Sequence, residues 1–164
     1  ISLKSKGQYG FKYRLIPQMK SSIGGSSSVR GYRAGVASGD SSITTSFEYL
    51  LHIPKMLLPS DKVIHLLGKK GLRLTPQYSG GMVDWNCIIK TFLDVGSAIT
   101  NNYDNNFTYS RSDVNLMGVG LGVIMTIFHN INVSIDWAIP IIKRYNDGEV
   151  IDSQFLYFSS TIMF

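Results

Sequence analysis

The first fifteen residues separate by parity, with Ile1, Leu3, Tyr9, Phe11, Tyr13 and Leu15 on one side and Lys4, Lys6, Gln8, Lys12 and Arg14 on the other. That is the period of a strand with one apolar and one wet face. The same alternation returns at Ile43, Thr45, Phe47, Tyr49, Leu51 and Ile53, which oppose Thr44, Ser46, Glu48 and His52. From Trp85 to Val95 the odd positions are Trp85, Cys87, Ile89, Thr91, Leu93 and Val95, and the even side carries Lys90 and Asp94. Two charges on that face require water or a partner there. The run 114–128 sets Met117, Val119, Leu121, Val123, Met125 and Ile127 against Gly118, Gly120 and Gly122, a smooth trough into which another piece of backbone can settle. Ile131 to Ile141 alternates most cleanly, after a tight turn at His129-Asn130, and 155–164 forms the last strand, closing on Phe164.

This pattern predicts an all-β chain of about six strands. Most have ten or more residues, the length that crosses a bilayer at a tilt and longer than the usual strand of a soluble sheet. A soluble sandwich also alternates, but its exposed faces are normally richer in Lys and Glu than these polar faces of Gly, Ser, Thr and Asn. The expected connections alternate in character: 17–42 is long, 101–113 is rich in Asn and 143–152 is charged, whereas His129-Asn130 is minimal. Long loops on one rim and short turns on the other are the signature of an outer-membrane barrel. The connection 55–82 departs from it, being long on the expected periplasmic side, and its segment 61–70 reads as a solvated insertion or a short amphipathic helix. Six strands cannot close a transmembrane barrel, for which about eight is the minimum. The expectation is therefore an antiparallel transmembrane β-barrel of which 1–164 supplies the C-terminal strands.

Composition agrees with this reading. Charged residues make up 16% of the chain, well below the roughly 25% of ordinary soluble domains. No apolar run is long enough for a transmembrane helix, so strands are left to explain the scarcity of charge. The formal net charge is +5, but the basic residues are spread along the chain, which argues against a nucleic-acid partner. Cys87, the single cysteine, excludes an internal disulfide and reads as a small hydrophobe. Ile1-Ser2-Leu3-Lys4 carries neither an initiator Met nor a leader, as expected of a mature product or a piece of something longer. His52, His65 and His129 fall on different elements without ligand spacing, and no nucleophile or phosphate motif is present. No enzymatic activity, catalytic residue, metal site or cofactor is expected.

The most specific stretch is the glycine-serine segment from Ile23 to Arg33, with a basic, aromatic tip at Val29-Arg30-Gly31-Tyr32. With Gly7-Gln8, Ile23-Gly24-Gly25, Ser38-Gly39-Asp40, Glu48, Phe92-Leu93-Asp94-Val95-Gly96, Gly118-Val119-Gly120-Leu121-Gly122 and the terminal Phe164, in this order, the chain resembles the C-terminal barrel portion of the two-partner secretion transporters. These are the haemolysin-activator and filamentous-haemagglutinin-transporter group of the outer-membrane assembly factor superfamily.

The resemblance implies a larger barrel of about sixteen strands in the outer membrane. It implies that the loop 17–42 folds back into the pore, with Arg30 meeting an acidic residue on the inner wall. Carried over by motif, that residue is Asp94, whose parity independently places it on the wet face. Phe92 and Gly96 belong to the same wall motif, and Glu48 is a second possible partner. Tyr32 is expected to pack over the trough of Gly118, Gly120 and Gly122. Phe164 resembles the signal read by the barrel-insertion machinery. The implied function is ATP-independent export of an unfolded exoprotein of haemolysin or adhesin type. The alternatives are a barrel assembly and insertion factor of the same superfamily, whose members share the loop motif, or a non-functional truncated remnant. The expected partners are the exoprotein, outer-membrane lipid and the insertion machinery.

Overall fold

The structure is a computed structural model and describes residues 1–53, 56, 63–64, 72–73, 85–103, 109–127, 130–142 and 154–163. Ten strands lie among them: β1 (Ser2–Gln8), β2 (Ser21–Ile23), β3 (Ala37–Gly39), β4 (Ser41–His52), β5 (Val63–Ile64), β6 (Leu72–Arg73), β7 (Trp85–Tyr103), β8 (Tyr109–Ile127), β9 (Ile131–Pro140) and β10 (Phe155–Ile162). Among the described residues the helical pieces are a 3-10 turn at Pro17–Met19 and the 3-10 residue Met56. No described helix is long and apolar enough to cross a membrane. The chain is all-β.

Six strands join in one sheet in the order β1-β4-β7-β8-β9-β10, while β2-β3 and β5-β6 pair separately. The sheet strands follow one another in chain order, so no crossover is needed. β1 and β4 are antiparallel, with Ser2 opposite Glu48 and Gln8 opposite Ser42. β7 runs antiparallel beside β4: the Asp40 N–H donates to the Ile99 carbonyl at 2.8 Å and the Ile53 N–H to the Cys87 carbonyl at 2.9 Å. β1 and β10 are the edges, and the sheet is not closed into a barrel among the described residues.

The sheet buries one parity of β7 and β8 and exposes the other. Buried along β7 and β8 are the even positions Lys90, Phe92, Asp94, Gly96 and Ala98, then Leu116, Gly118, Gly120 and Gly122. The odd positions Ile89, Val95, Val119, Leu121, Val123 and Met125 are exposed, as are Leu3, Ile43 and Phe47 on β1 and β4 and Ile135 and Trp137 on β9. The parity expected from the sequence therefore holds, with the wet face inside.

The chain divides into two compact units. The first comprises Ile1–Tyr49, Thr91–Gly120 and Trp137–Leu156. Its core is Ile23, Val29, Tyr32, Ala37, Ala98 and Leu116, with Val36 and Val114 packed against it. The connection between β1 and β4 thus lies on the even face of β7 and β8 and buries its own apolar residues there. The second unit comprises Leu50–Lys90, Leu121–Asp136 and Tyr157–Phe164. Within it Lys90 Nζ lies 2.8 Å from Asp136 Oδ2. β9 and β10 are joined by a Ser134–Ser159 hydroxyl pair at 2.9 Å.

Three expectations need correction. The first strand stops at Gln8, because the Gly10 backbone turns against β4: the Gly10 N–H donates to Ser41 Oγ at 2.9 Å, and a Cβ at Gly10 would lie 2.6 Å from the Asp40 carbonyl oxygen. Tyr9, Phe11, Tyr13 and Leu15 are therefore in a turn, not a strand. Val63–Ile64 pairs with Leu72–Arg73 as an antiparallel ladder, so the helical alternative for 61–70 does not run through Val63 and Ile64. β7 and β8 are nineteen residues each, longer than the runs that the alternation marked. His129, Phe164, 143–152 and most of 55–82 lie outside the described residues.

Candidate functional site

The loop from Ser21 to Gly39 begins and ends as the β2-β3 ladder, with Ser21 opposite Gly39 and Ile23 opposite Ala37. Between the two strands the Gly25 N–H donates to the Val29 carbonyl at 3.0 Å, and the Gly24 N–H to Ser28 Oγ at 2.7 Å. These bonds fold the segment into a finger with Val29 to Tyr32 at its docked end. Val29 and Tyr32 are fully buried, so the finger is held by apolar burial as well as by charge.

Arg30 makes the central contacts. Its Nε donates to Asp94 Oδ2 at 2.7 Å and its Nη2 to Asp94 Oδ1 at 2.9 Å, a two-pronged grip on one carboxylate. The backbone N–H of Arg30 also donates to Asp94 Oδ2, at 3.1 Å. Nη2 donates further to Glu48 Oε1 at 2.8 Å and to Ser46 Oγ at 3.0 Å. The Ser46 hydroxyl donates to Asp94 Oδ1 at 2.6 Å. The guanidinium carbon sits 3.5 Å from the centroid of the Phe92 ring, a cation–π arrangement. Asp94 is 0% exposed and Arg30 7%, so an unpaired charge at either position would be strongly disfavoured. Burial lowers the Arg30 pKa, but the hydrogen bonds and charges of Asp94 and Glu48 outweigh it and push the pKa above the ordinary arginine value. Arg30 and the two carboxylates sum to one negative charge, which Lys4 offsets with its Nζ 3.8 Å from Glu48 Oε2.

All four wall residues expected from the sequence meet the loop: Asp94, Glu48 and Phe92 through Arg30, and Gly96 through Val29. A Cβ at Gly96 would lie 2.6 Å from Val29 Cγ2. Gly31 adopts φ +95°, and a Cβ there would lie 2.9 Å from both the Ile139 carbonyl carbon and the Pro140 nitrogen. Only glycine fits that tip.

The glycine trough is occupied differently from expectation. The Arg30 carbonyl oxygen sits where a Cβ of Gly118 would be. The Phe92 ring and the Trp137 carbonyl crowd Gly120, and the Lys90 stem and Asp136 carboxylate crowd Gly122. Gly118 alone of the three seats the loop; the others make room for wall side chains. Tyr32 is not over the trough but in the apolar cluster with Ala98 and Leu116. Its hydroxyl lies 2.9 Å from the Met117 carbonyl and 2.7 Å from that of Ile142, and accepts the Met117 N–H at 3.2 Å. Burial pushes the phenol pKa up from 10.0, against the opposing effect of its backbone hydrogen bonds with Met117 and Ile142. The ring therefore ties the loop to β8 and to the residues just after β9.

Asp40 is a second anchor. Its Oδ1 accepts the Leu15 N–H at 2.8 Å and its Oδ2 accepts the Asn101 N–H at 2.7 Å, while Lys20 Nζ lies 3.7 Å from Oδ1. Burial raises the carboxyl pKa, but the two N–H donors and Lys20 outweigh it and hold the pKa below the ordinary 3.8. The Ser38-Gly39-Asp40 motif thus supplies a junction of three chain segments.

Beside the loop stem is a cavity of about 720 Å³, lined by Lys6, Gln8, Lys20, Ser22, Ser28 and Thr44 among others. Leu15, Met19 and Ile23 complete its wall, which is mixed in polarity. Among the described residues no three His, Cys, Asp or Glu side chains gather as a metal site. Cys87 carries a half-buried free thiol. No protein-family model, curated protein or solved structure matches the chain.

Proposed function

We propose that this chain is the C-terminal part of an outer-membrane β-barrel that exports an unfolded polypeptide of haemolysin or adhesin type, with the Val29-Arg30-Gly31-Tyr32 loop fixed against the inner wall of the pore. The observation that carries the reading is the grip of Arg30 on Asp94 and Glu48 (2.7–2.9 Å), which holds a loop tip against the polar side of a sheet whose other side is apolar and exposed. Such a sheet suits a lipid exterior and a watery interior. Its open edges β1 and β10 would be paired by further strands, since unpaired backbone is intolerable in lipid.

The chemistry fits a conduit. Hydroxyls, amides, Lys6 and Lys20 share the cavity wall with Leu15, Met19 and Ile23, a mixed lining that offers a passing chain many weak contacts. No nucleotide is required: folding of the exported protein outside removes the unfolded chain from the equilibrium. The loop is an anchored obstruction whose release would widen the passage. Partners are the exoprotein, outer-membrane lipid and, during biogenesis, the insertion machinery that reads the Phe164 end.

The test is secretion by the intact native protein carrying Arg30→Ala or Asp94→Ala. Export should fall while the barrel stays in the outer membrane, and unchanged export in both variants would sink the proposal. The assembly-factor reading gives a different result: depletion would lower the amounts of other barrel proteins in the membrane and leave no particular exoprotein missing from the medium.

A further inference from the structure

The turn after β1 displays three aromatic rings and fixes them there. Tyr9, Phe11 and Tyr13 are 71%, 69% and 75% exposed. Their backbone is nevertheless tied down: the Gly10 N–H bonds to Ser41 Oγ, the Tyr13 N–H to the Gly10 carbonyl at 3.0 Å, the Leu15 N–H to Asp40 Oδ1, and Asn101 Nδ2 to the Tyr13 carbonyl at 3.2 Å. Phe11 is held at φ +52°, a region that bulky side chains rarely adopt. Tyr9 and Phe11 stack edge to face with centroids 4.9 Å apart, so their exposure is an ordered arrangement. Lys12 and Arg14 alternate with the rings and are exposed too.

The position of the turn identifies what covers it. β1 enters it through Gly7, which pairs with Ile43 near the start of β4. β4 has twelve residues, a rise of about 28 Å at the usual barrel tilt, so its start reaches the far boundary of an apolar band about 25 Å tall. The exposed apolar face of β1 and β4, with Leu3, Phe47 and Ile43, leads up to the aromatic turn. Rings with phenolic hydroxyls, interleaved with two cations, suit the layer where acyl carbon gives way to phosphate.

Resting on the membrane reading, we propose that Tyr9, Phe11 and Tyr13, with Lys12 and Arg14, form an interfacial anchor that binds the anionic headgroup layer of the bilayer at the rim from which the Arg30 loop departs. The rings sit at the carbonyl level and the cations pair with lipid phosphate. The turn is tied through Asp40 to the loop stem, so the anchor also sets the height of the loop in the membrane.

The test uses the native-length protein in vesicles of phosphatidylcholine alone or mixed with phosphatidylglycerol, with lipids brominated near the headgroup or at the chain end. One variant combines Phe11→Trp with replacement by Phe of every other tryptophan of the protein, Trp85 and Trp137 included; a reference keeps Trp137 as its single tryptophan. The indole introduced by Phe11→Trp should lose emission to headgroup-proximal bromine far more than to chain-end bromine. The loss should be larger with phosphatidylglycerol and should shrink when Lys12→Glu and Arg14→Glu are added. Quenching that ignores phosphatidylglycerol overturns the phosphate assignment. An indole unquenched by either lipid, while Trp137 is quenched by chain-end bromine, overturns the anchor and leaves the membrane reading standing. If Trp137 is also unquenched, the membrane reading falls with it.

Discussion

Arg30 satisfies two carboxylates, a hydroxyl and a ring face at once, and only a planar guanidinium has the donors and the flat surface to do so. Arg30→Lys keeps the charge but loses the two-pronged bond and the stacking, and should weaken loop anchoring by about 1–3 kcal/mol. Arg30→Ala leaves Asp94 and Glu48 facing one another in a buried site, and about 3–5 kcal/mol is the expected loss. Protease sensitivity of the loop 21–39 in the intact protein ranks these variants, and equal sensitivity of Arg30→Lys and wild type would show that charge alone suffices. The exchange Arg30→Asp with Asp94→Arg should restore the loop in part only. The native Asp94 also accepts the backbone N–H of residue 30 at 3.1 Å, and an arginine at 94 offers no acceptor there. Gly31→Ala should release the tip as fully as Arg30→Ala does, since φ +95° and the Ile139-Pro140 backbone exclude a side chain. A loop that stays protected in Gly31→Ala would mean that its docking tolerates a shifted backbone.

At the scale of elements, Asp40 joins the turn after β1, the base of the loop and β7. Its pKa lies below 3.8 in the fold, so the unfolded chain takes up the proton first as pH falls. The stabilisation is present above the ordinary value and is lost as pH drops through the lowered one. Asp40→Asn should abolish that acid-dependent loss, because the amide keeps one acceptor but has no carboxylate to protonate. Hydrogen exchange at the Leu15 and Asn101 amides checks this: protection should fall with acid in wild type, and start low and stay flat in Asp40→Asn. A parallel acid dependence in both would remove Asp40 as its source. These same contacts explain what was legible in the sequence. Alternation is a local signal, and it located the faces of β4, β7, β8 and β9. It carried on through Tyr9, Phe11 and Tyr13 because the bonds that end β1 come from Ser41, Asp40 and Asn101, far away in sequence. The docking place of the loop did leave a mark: Ala98, Val114 and Leu116 are a run of apolar residues on the face that also carries Lys90 and Asp94, and they are the ones that cluster with Val29 and Tyr32. Lys90 called for a partner, but alternation cannot name one two strands away. Asp136 is reached because Gly122 between them has no side chain.

For the whole molecule the decisive question is which solvent meets the apolar face. Leu121 is 51% exposed and six residues along β8 from Ile127, which precedes the short turn to β9. At about 2.5 Å of height per tilted residue it lies roughly 15 Å from that rim, close to the midplane of a 25 Å apolar band. Ile43, open at 56%, is the third residue of β4, at the end that the proposed membrane reading puts near the opposite boundary. In water both are ordinary surface positions, where substitutions change stability by about 0.5 kcal/mol or less. In lipid, Leu121→Arg should cost about 2–4 kcal/mol and Ile43→Arg about 0–1, because the penalty follows depth. The amount of folded protein in the outer-membrane fraction, read by its resistance to unfolding in cold detergent, measures the difference. A strong loss for Leu121→Arg with little for Ile43→Arg places the odd face in lipid with the short turn at one boundary. Equal tolerance means that water bathes the face, and the pore would have to be abandoned although the Arg30–Asp94 contact would remain. Equal and severe loss means that another protein surface covers both positions, because an interface penalises a buried charge without regard to depth.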